Sequence, residues 1–382
     1  MDRPLKIIFL GHEYLLKANR EFLKEFPSNK YKVFVIVPAK FPLKPFGGEK
    51  KLTKTLKENN YYVIPVKWWI FKHTQLQIIS PSFYKLIKKI KPDVIFVAEE
   101  PYSLQSFEVS IFTGKKYKTF FYSAQNIYKK FIFPVNFFEK YVFKMASGIF
   151  AKSQTAMKIL KQKKQNLKVF YLPFGIDENN FKKIEKDEKI FKKLGLRKPL
   201  IGFVGRLSKE KGIFILYEAF KKVYNKLKKG MLIFIGEGPL RKELTRKIKK
   251  EKMENVVKIT GYIPHEEVIK YIALLDILAL PSITLTGWKE QFGRVLIEAM
   301  SCGVPVIGSD SGEIPEVIGD AGLIFKEGQI EELKNCILKI LENQDLKRSL
   351  IEKGIKRVKE NFGFKKFVER FAKGLKESGV KI

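Results

Sequence analysis

The chain has 382 residues, 74 of them basic and 40 acidic, which gives a formal net charge of +34 and a pI of about 9.8. That length exceeds one ordinary domain and suits two, and a hydrophobic content of 45% supplies a sizeable core. Cys302 and Cys336 form no metal or redox motif, the three histidines are scattered, and a histidine-based zinc site and a disulfide framework are therefore disfavoured.

The excess of lysine over acid is larger than an ion-pair-rich, thermophile-like composition would produce. It implies anionic partners, nucleotide phosphates first and then anionic lipid or nucleic acid. No apolar stretch approaches a membrane span, since Asp276 interrupts even the run from Ile272. The apolar run after Met1-Asp2-Arg3-Pro4 is too short for a signal peptide, so a cytoplasmic protein is expected, peripheral on the inner face of the membrane if it meets lipid.

In chain order, Leu5–Leu10 reads as a buried strand that ends at Gly11, and His12-Glu13-Tyr14 as the lead into a helix carrying Lys17 and Arg20. This is the opening of a doubly wound sheet without the Gly-x-Gly-x-x-Gly fingerprint, which disfavours a nicotinamide enzyme. Strands follow at 33–37, 62–66, 94–97 and 119–122, separated by helical segments that make parallel crossovers the natural arrangement. Another strand at 149–151, a helix near Thr155 and the run 169–177 close a first domain. The charged stretch 182–193 reads as a hinge and solvated face. The pattern then restarts: strands at 200–205, 231–235, 257–264 and 277–282, with helices near Gly212 and Glu267. The remainder after residue 310 is helical.

Two loops carry chemistry. Basic residues sit in Gly205-Arg206-Leu207-Ser208-Lys209-Glu210-Lys211-Gly212, at the start of a helix whose amino end is already positive. Arg206 and Lys211 make sense there if an anion lies between them and the backbone N–H groups; the plain alternative is a solvated basic loop. In Lys289–Met300, apolar residues at 292, 295, 296, 299 and 300 have helical spacing, ended by Gly303 and Pro305 before the strand 304–308. Glu290 precedes this helix and Glu298 lies two turns inside it. Alone these are a surface carboxylate and an Arg294/Glu298 pair of the less favourable orientation.

The run from Glu290-Gln291-Phe292-Gly293 through Glu298 to Ala299-Met300-Ser301-Cys302-Gly303-Val304-Pro305-Val306-Ile307-Gly308-Ser309-Asp310 resembles the family 4 glycosyltransferases. Their motif, Glu-x-Phe-Gly-x4-Glu, is complete here. The resemblance implies a GT-B fold: two Rossmann-like, doubly wound α/β domains facing across a cleft. It divides the chain into an acceptor-binding domain at 1–178, a nucleotide-sugar-binding domain at 179–363, and a helix at 364–382 that packs back on the first domain. Pro173-Phe174-Gly175-Ile176-Asp177 matches the family's domain crossing.

It also implies site roles. Arg206 and Lys211 clamp the donor diphosphate and stabilise the leaving group. Glu290 contacts the donor sugar, and the N–H groups of Phe292 and Gly293 support sugar and phosphates. Glu298 holds the ribose hydroxyls. The base lies against Gly261 and Ile263, with Tyr262 as a packing residue, and Gly11 borders the donor. No Asp-x-Asp occurs in the chain, so no metal and no cofactor are expected, the nucleotide-sugar being a co-substrate.

The first domain departs from the family. Where many members carry a histidine near the reacting sugar, this chain has Ser123-Ala124-Gln125-Asn126. Gln125 or Asn126 can supply the hydrogen bond but not a general base. Glu99 and Glu100 are either site carboxylates or a helix N-cap environment, and His12 is either an active-site or a structural histidine. A mechanism in which the leaving diphosphate helps deprotonate the acceptor suits this poor inventory of bases.

The activity expected is retaining, metal-independent sugar transfer to a glycan or lipid-linked acceptor, as in cell-surface polysaccharide or glycolipid synthesis. The alternatives are a basic, non-catalytic membrane- or nucleic-acid-binding protein on a GT-B scaffold, and a nucleotide-sugar epimerase; the first loses ground to the intact site set, and no nucleic-acid motif occurs. Lys67–Lys72 and Tyr128–Tyr141 interleave basic and aromatic residues. They form either an interface with anionic membrane or core aromatics flanked by ordinary surface lysines.

Overall fold

The structure, a computed structural model, describes residues 3–42, 49–69 and 77–382. It divides into two compact units: Met1–Gly175 with Phe364–Ile382, and Ile176–Gly363. The doubly wound α/β class expected from the sequence is present in both.

The first unit is built on an eight-stranded sheet: β1 Leu5–Leu10, β2 Tyr31–Pro38, β3 Leu56–Glu58, β4 Tyr61–Val66, β5 Val94–Val97, β6 Lys118–Ser123, β7 Gly148–Ala151 and β8 Val169–Tyr171. The spatial order is β8-β7-β6-β5-β1-β2-β4-β3. All neighbours are parallel except β3 and β4. Strands covered on both faces need apolar residues at every position, and all four residues of β5 are fully buried. Helices α1 Pro81–Ile90, α2 Leu104–Thr113, α3 Val135–Met145 and α4 Gln154–Lys163 provide the cover. Ser80, Ser103 and Ser153 cap α1, α2 and α4, each accepting from an N–H of the first turn. Strand order reverses between β1 and β5, and the register Leu10↔Val97 sets their carboxyl ends side by side.

The segment after β1 is not the expected α-helix. It forms three short 3-10 turns, His12–Leu15, Lys17–Asn19 and Glu21–Glu25. The buried Arg20 guanidinium donates to the carbonyls of Tyr14 (2.8 Å) and Leu15 (3.0 Å), acceptors that an α-helix would use for its own i+4 N–H groups. It also pairs with Glu58 at 2.6 Å, which fixes the segment against β3.

The terminal helix Phe364–Glu377 belongs to the first unit. Phe364, Phe367, Val368, Phe371, Gly374 and Leu375 form its buried stripe. The Phe371 ring lies 5.2–5.7 Å from those of Phe9, Phe26, Phe96 and Phe150.

The second unit is a six-stranded, wholly parallel sheet: β9 Leu200–Val204, β10 Met231–Ile235, β11 Val257–Ile259, β12 Ile277–Leu280, β13 Val306–Ser309 and β14 Gly322–Phe325, in the order β11-β10-β9-β12-β13-β14. Its helices are α5 Ile213–Leu227, α6 Arg241–Lys250, α7 His265–Ile272, α8 Arg294–Ser301, α9 Ile314–Ile318, α10 Ile330–Glu342 and α11 Gln344–Asn361. Strand order reverses between β9 and β12. The charged stretch 182–193, read as a hinge, lies inside this unit and contains the short helix Glu188–Lys193, capped by Asp187. The chain changes units at Gly175–Ile176 and Gly363–Phe364. There the buried Ile176 donates its N–H to Phe362 (2.8 Å), which ties it to the second unit.

Candidate active site

Open parallel sheets present ligand sites outside the carboxyl ends of their strands, where the strand order reverses. In the second unit that place is the exit of β9, Gly205-Arg206, beside the exit of β12, Pro281-Ser282. Glu290 is buried there, 6% exposed. Its Oε2 accepts from Lys211 Nζ at 2.6 Å and from Ser282 Oγ at 2.8 Å. A buried carboxylate is costly unless paired and hydrogen-bonded, and these two donors answer that cost. Ser309 Oγ, at the end of β13, donates to the carbonyl of Ser282, and Lys211 Nζ lies 5.2 Å from the centre of the Trp288 ring.

Two glycines in left-handed conformation allow this convergence. A Cβ at Gly212 (φ +62) would stand 1.8 Å from the carbonyl oxygen of Pro281, and one at Gly312 (φ +59) 2.0 Å from that of Glu290. The Arg206 side chain is exposed at the same edge and makes no hydrogen bond or ion pair among the described residues, though, against the cost of burial, its charge helps hold the Glu210 carboxylate low.

Glu298 has separate partners. It is buried in α8, with His265 Nε2 3.0 Å and Arg294 Nε 3.1 Å from its Oε1. The Arg294 contact is an ion pair without hydrogen-bond alignment. The helix starts at Arg294 rather than at 292, because Gly293 takes a left-handed conformation (φ +78) as its N-cap. No side chain caps α8, and Phe292 is buried edge-on against Phe362 at 5.6 Å. Gly261 follows β11 and bridges Gly236; Ile263 is half-buried. Tyr262 is 57% exposed and so is not the packing residue the sequence suggested.

The first unit has its own polar edge where its strand order reverses. A Cβ at Gly11 would come within 2.9 Å of that of Ala98, so the exits of β1 and β5 nearly touch. Glu99 Oε1 accepts the backbone N–H of His12 at 3.1 Å and lies 2.6 Å from its Nδ1. Burial works against the imidazolium, but Glu99 outweighs it and the pKa of His12 is raised. Glu100 accepts from Ser123 Oγ (2.7 Å) and from the N–H of Ala124 (2.8 Å), and burial raises its pKa. Neither carboxylate is an N-cap, since Ser103 caps α2. Gln125 is buried and its Nε2 has no hydrogen-bond partner among the described residues.

Sequence reasoning missed His265, Ser282 and the His12–Glu99 contact. His265 meets Glu298 and His12 meets Glu99 across long stretches of chain, and Ser282 reaches Glu290 over a loop with no periodicity to announce it. Both cysteines are free, and burial pushes the Cys302 thiol up to about 12. Among the described residues no group of three His, Cys, Asp or Glu is placed to hold a metal ion, and no helix is long and apolar enough to cross a membrane.

The mixed basic and aromatic stretches divide between core and surface. Trp68 is buried and Trp69 40% exposed, while Ile70–Lys72 lie outside the described residues. In the second stretch Phe131 packs on Tyr102 at 4.5 Å and Phe138 stacks on Phe107 at 4.5 Å. Ile132 and Phe133 are 83% and 77% exposed, and Lys129 and Lys130 beside them are exposed.

Residues 185–357 match the family described as Glycosyl transferases group 1. Over 238 residues the chain is 29% identical to an uncharacterized glycosyltransferase of Methanocaldococcus jannaschii, covering 61% of this chain and 59% of that protein. Over 180 residues it is 31% identical to the GDP-mannose-dependent monoacylated alpha-(1-6)-phosphatidylinositol monomannoside mannosyltransferase of Corynebacterium glutamicum, covering 45% and 47%. The chain thus spans about half the length of the curated relatives it matches. Among solved structures, Anabaena HepE in complex with UDP and glucose superposes with a TM-score of 0.74 over 98% of this chain and 100% of that one, at 21% identity. At that identity the likeness bears on the fold, which is GT-B.

Proposed function

We propose that this chain, whose residues 185–357 match the glycosyl transferases group 1, transfers a sugar from a nucleotide-sugar donor to a glycan or lipid-linked acceptor with retention of anomeric configuration. The observation that carries this reading is the buried Glu290 at the strand reversal of the second unit, held by Lys211 and Ser282. Glu290 receives hydroxyls of the donor sugar. Lys211, on its carboxylate, and the exposed Arg206 supply positive charge for the diphosphate as it leaves. The N–H groups of Phe292 and Gly293 complete that anion site at the uncapped start of α8. Glu298, oriented by His265 and Arg294, takes the ribose hydroxyls, which suits an ionised carboxylate that accepts two hydrogen bonds. The base lies against Gly261 and Ile263.

Lys211, held on Glu290, with Arg206 and the helix start does the work a divalent ion does elsewhere, so the transfer needs no metal. The test is incubation with a panel of nucleotide-sugars in EDTA, following the product by proton NMR. Slow donor hydrolysis or transfer that gives the donor's own anomer supports the proposal. An inverted product, or turnover that requires added manganese or magnesium, contradicts it.

The acceptor reading extends to an anionic membrane surface. Exposed Ile132 and Phe133 flanked by Lys129 and Lys130 have the composition of an interfacial contact. This surface supports an enzyme peripheral to the membrane face where lipid-linked acceptors lie.

A further inference from the structure

Between β12 and Glu290 the chain runs through a loop, residues 283–289, that lies outside the motif Glu290–Glu298. Ile283 donates its N–H to the carbonyl of Glu210 (2.9 Å), so the loop starts fastened to the segment that carries Lys211. Thr284 donates its N–H to Glu327 (2.7 Å), and its hydroxyl lies 3.2 Å from that of Ser311, which ties the loop to the chain just after β14 and β13. Leu285 and Trp288 then exchange two backbone hydrogen bonds, of 2.9 and 3.0 Å, across the turn residues Thr286 and Gly287. Gly287 takes φ +79, the left-handed conformation that tight turns give to glycine. The chain folds back there, and the half-buried Trp288 ring comes to lie 5.2 Å from Lys211 Nζ.

Lys211 therefore has two anchors of different kinds. Glu290 holds the ammonium by charge at 2.6 Å, and so cancels much of the field that a neighbouring anion would feel. The Trp288 ring attracts the same ammonium through its negative face and, being neutral, cancels none of its net charge. Were Glu290 the sole anchor, a ligand whose hydroxyls compete for that carboxylate would release Lys211. A second, neutral anchor keeps the ammonium in place at that moment.

We propose that Trp288 is a positioning residue for Lys211: its indole face keeps the ammonium at the strand reversal of the second unit while Glu290 takes up a ligand's hydroxyls, so that the charge meets a bound diphosphate. The proposal rests on the glycosyl-transfer reading only in making that diphosphate part of a nucleotide-sugar; the cation–ring contact and its effect on a pyrophosphate group are measurable without it.

The experiment titrates the full chain in EDTA with pyrophosphate and with UDP, GDP and ADP, followed by ligand-observed phosphorus NMR and by tryptophan emission. Trp68 and Trp69 lie in the first unit, so the emission that disappears in Trp288→Phe reports on the second. Without ligand, Lys211→Met changes that emission, because it takes the charge from the ring. At least one of the anions binds, and Trp288→Leu weakens it by about three- to tenfold. Trp288→Phe, which keeps an aromatic face of lower attraction for a cation, weakens it less. In a Lys211→Met background Trp288→Leu costs no further affinity, as a ring that acts through the ammonium requires. A ring that only packs the loop would lower affinity and denaturation midpoint together, with or without Lys211. The proposal is overturned by that result, by emission indifferent to Lys211→Met, by Trp288→Leu binding like the parent, or by binding of none of the anions. Pyrophosphate binding that depends on Trp288, with no nucleoside diphosphate or nucleotide-sugar bound, would remove the transferase reading and leave this one standing. Nucleotide-sugar binding indifferent to Trp288 would do the reverse.

Discussion

Glu290 and Glu298 occupy one motif but have different partners, so their variants separate. Glu290→Gln takes from Lys211 the carboxylate that holds it, so on the proposed reading its ammonium is no longer positioned where leaving-group charge develops; turnover falls more than donor affinity. On the proposed assignment, Glu298→Ala removes a charged acceptor of ribose hydroxyls. Losing such a hydrogen bond costs about 1.5–3 kcal/mol, roughly ten- to a hundredfold in donor affinity. Steady-state kinetics with donor varied distinguish a fall in kcat from a rise in KM. His12 gives a pH signature. Its raised folded pKa means that the stability from the His12–Glu99 pair is fully present below the unfolded value of about 6.5 and is lost as pH rises through the folded value. The stability gap between parent and His12→Gln, measured by urea unfolding, therefore narrows with rising pH. A gap independent of pH would contradict the pairing.

At the scale of elements, much of the fold was legible because parallel strands covered on both faces are continuous apolar runs, as in Val94–Val97 and Met231–Ile235. The strand–helix–strand unit around Glu298 was legible for the same reason, with Gly303 and Pro305 marking its turn. The 3-10 turns after β1 were not, because their cause is Arg20 reaching carbonyls that a helix would otherwise use. The edge strand Leu56–Glu58 is short, charged and antiparallel, without an apolar run to announce it. Partners such as His265 for Glu298 arise from tertiary packing and leave no local periodicity. Elements also set two mutational expectations. Phe371→Ala removes a ring packed among four others in the first unit and costs about 3–5 kcal/mol, read as a lower denaturation midpoint. Gly212→Ala drives a methyl into the Pro281 carbonyl and disturbs the Lys211 loop, so donor binding falls with stability.

At the scale of the whole molecule, the charge of +34 divides into local uses. The proposed reading sets Arg206 and Lys211 of the second unit at the donor diphosphate, while in the first unit Lys129 and Lys130 flank exposed Ile132 and Phe133. Sedimentation with anionic vesicles, weakening with salt and lost in Lys129→Glu/Lys130→Glu, is expected of that last surface, since each lysine near an anionic leaflet contributes about 1 kcal/mol. Equal sedimentation with neutral vesicles, or none with either, would favour a soluble acceptor. The central claim is that the second unit holds a nucleotide-sugar through Glu298, Lys211 and Arg206 without a metal. The most direct measurement is calorimetric titration of the full chain with a panel of nucleotide-sugars in EDTA, repeated with Glu298→Ala. The account predicts saturable binding of at least one donor, weakened at least about tenfold in the variant. Binding of no donor, binding only with added divalent metal, or equal affinity in Glu298→Ala would contradict it.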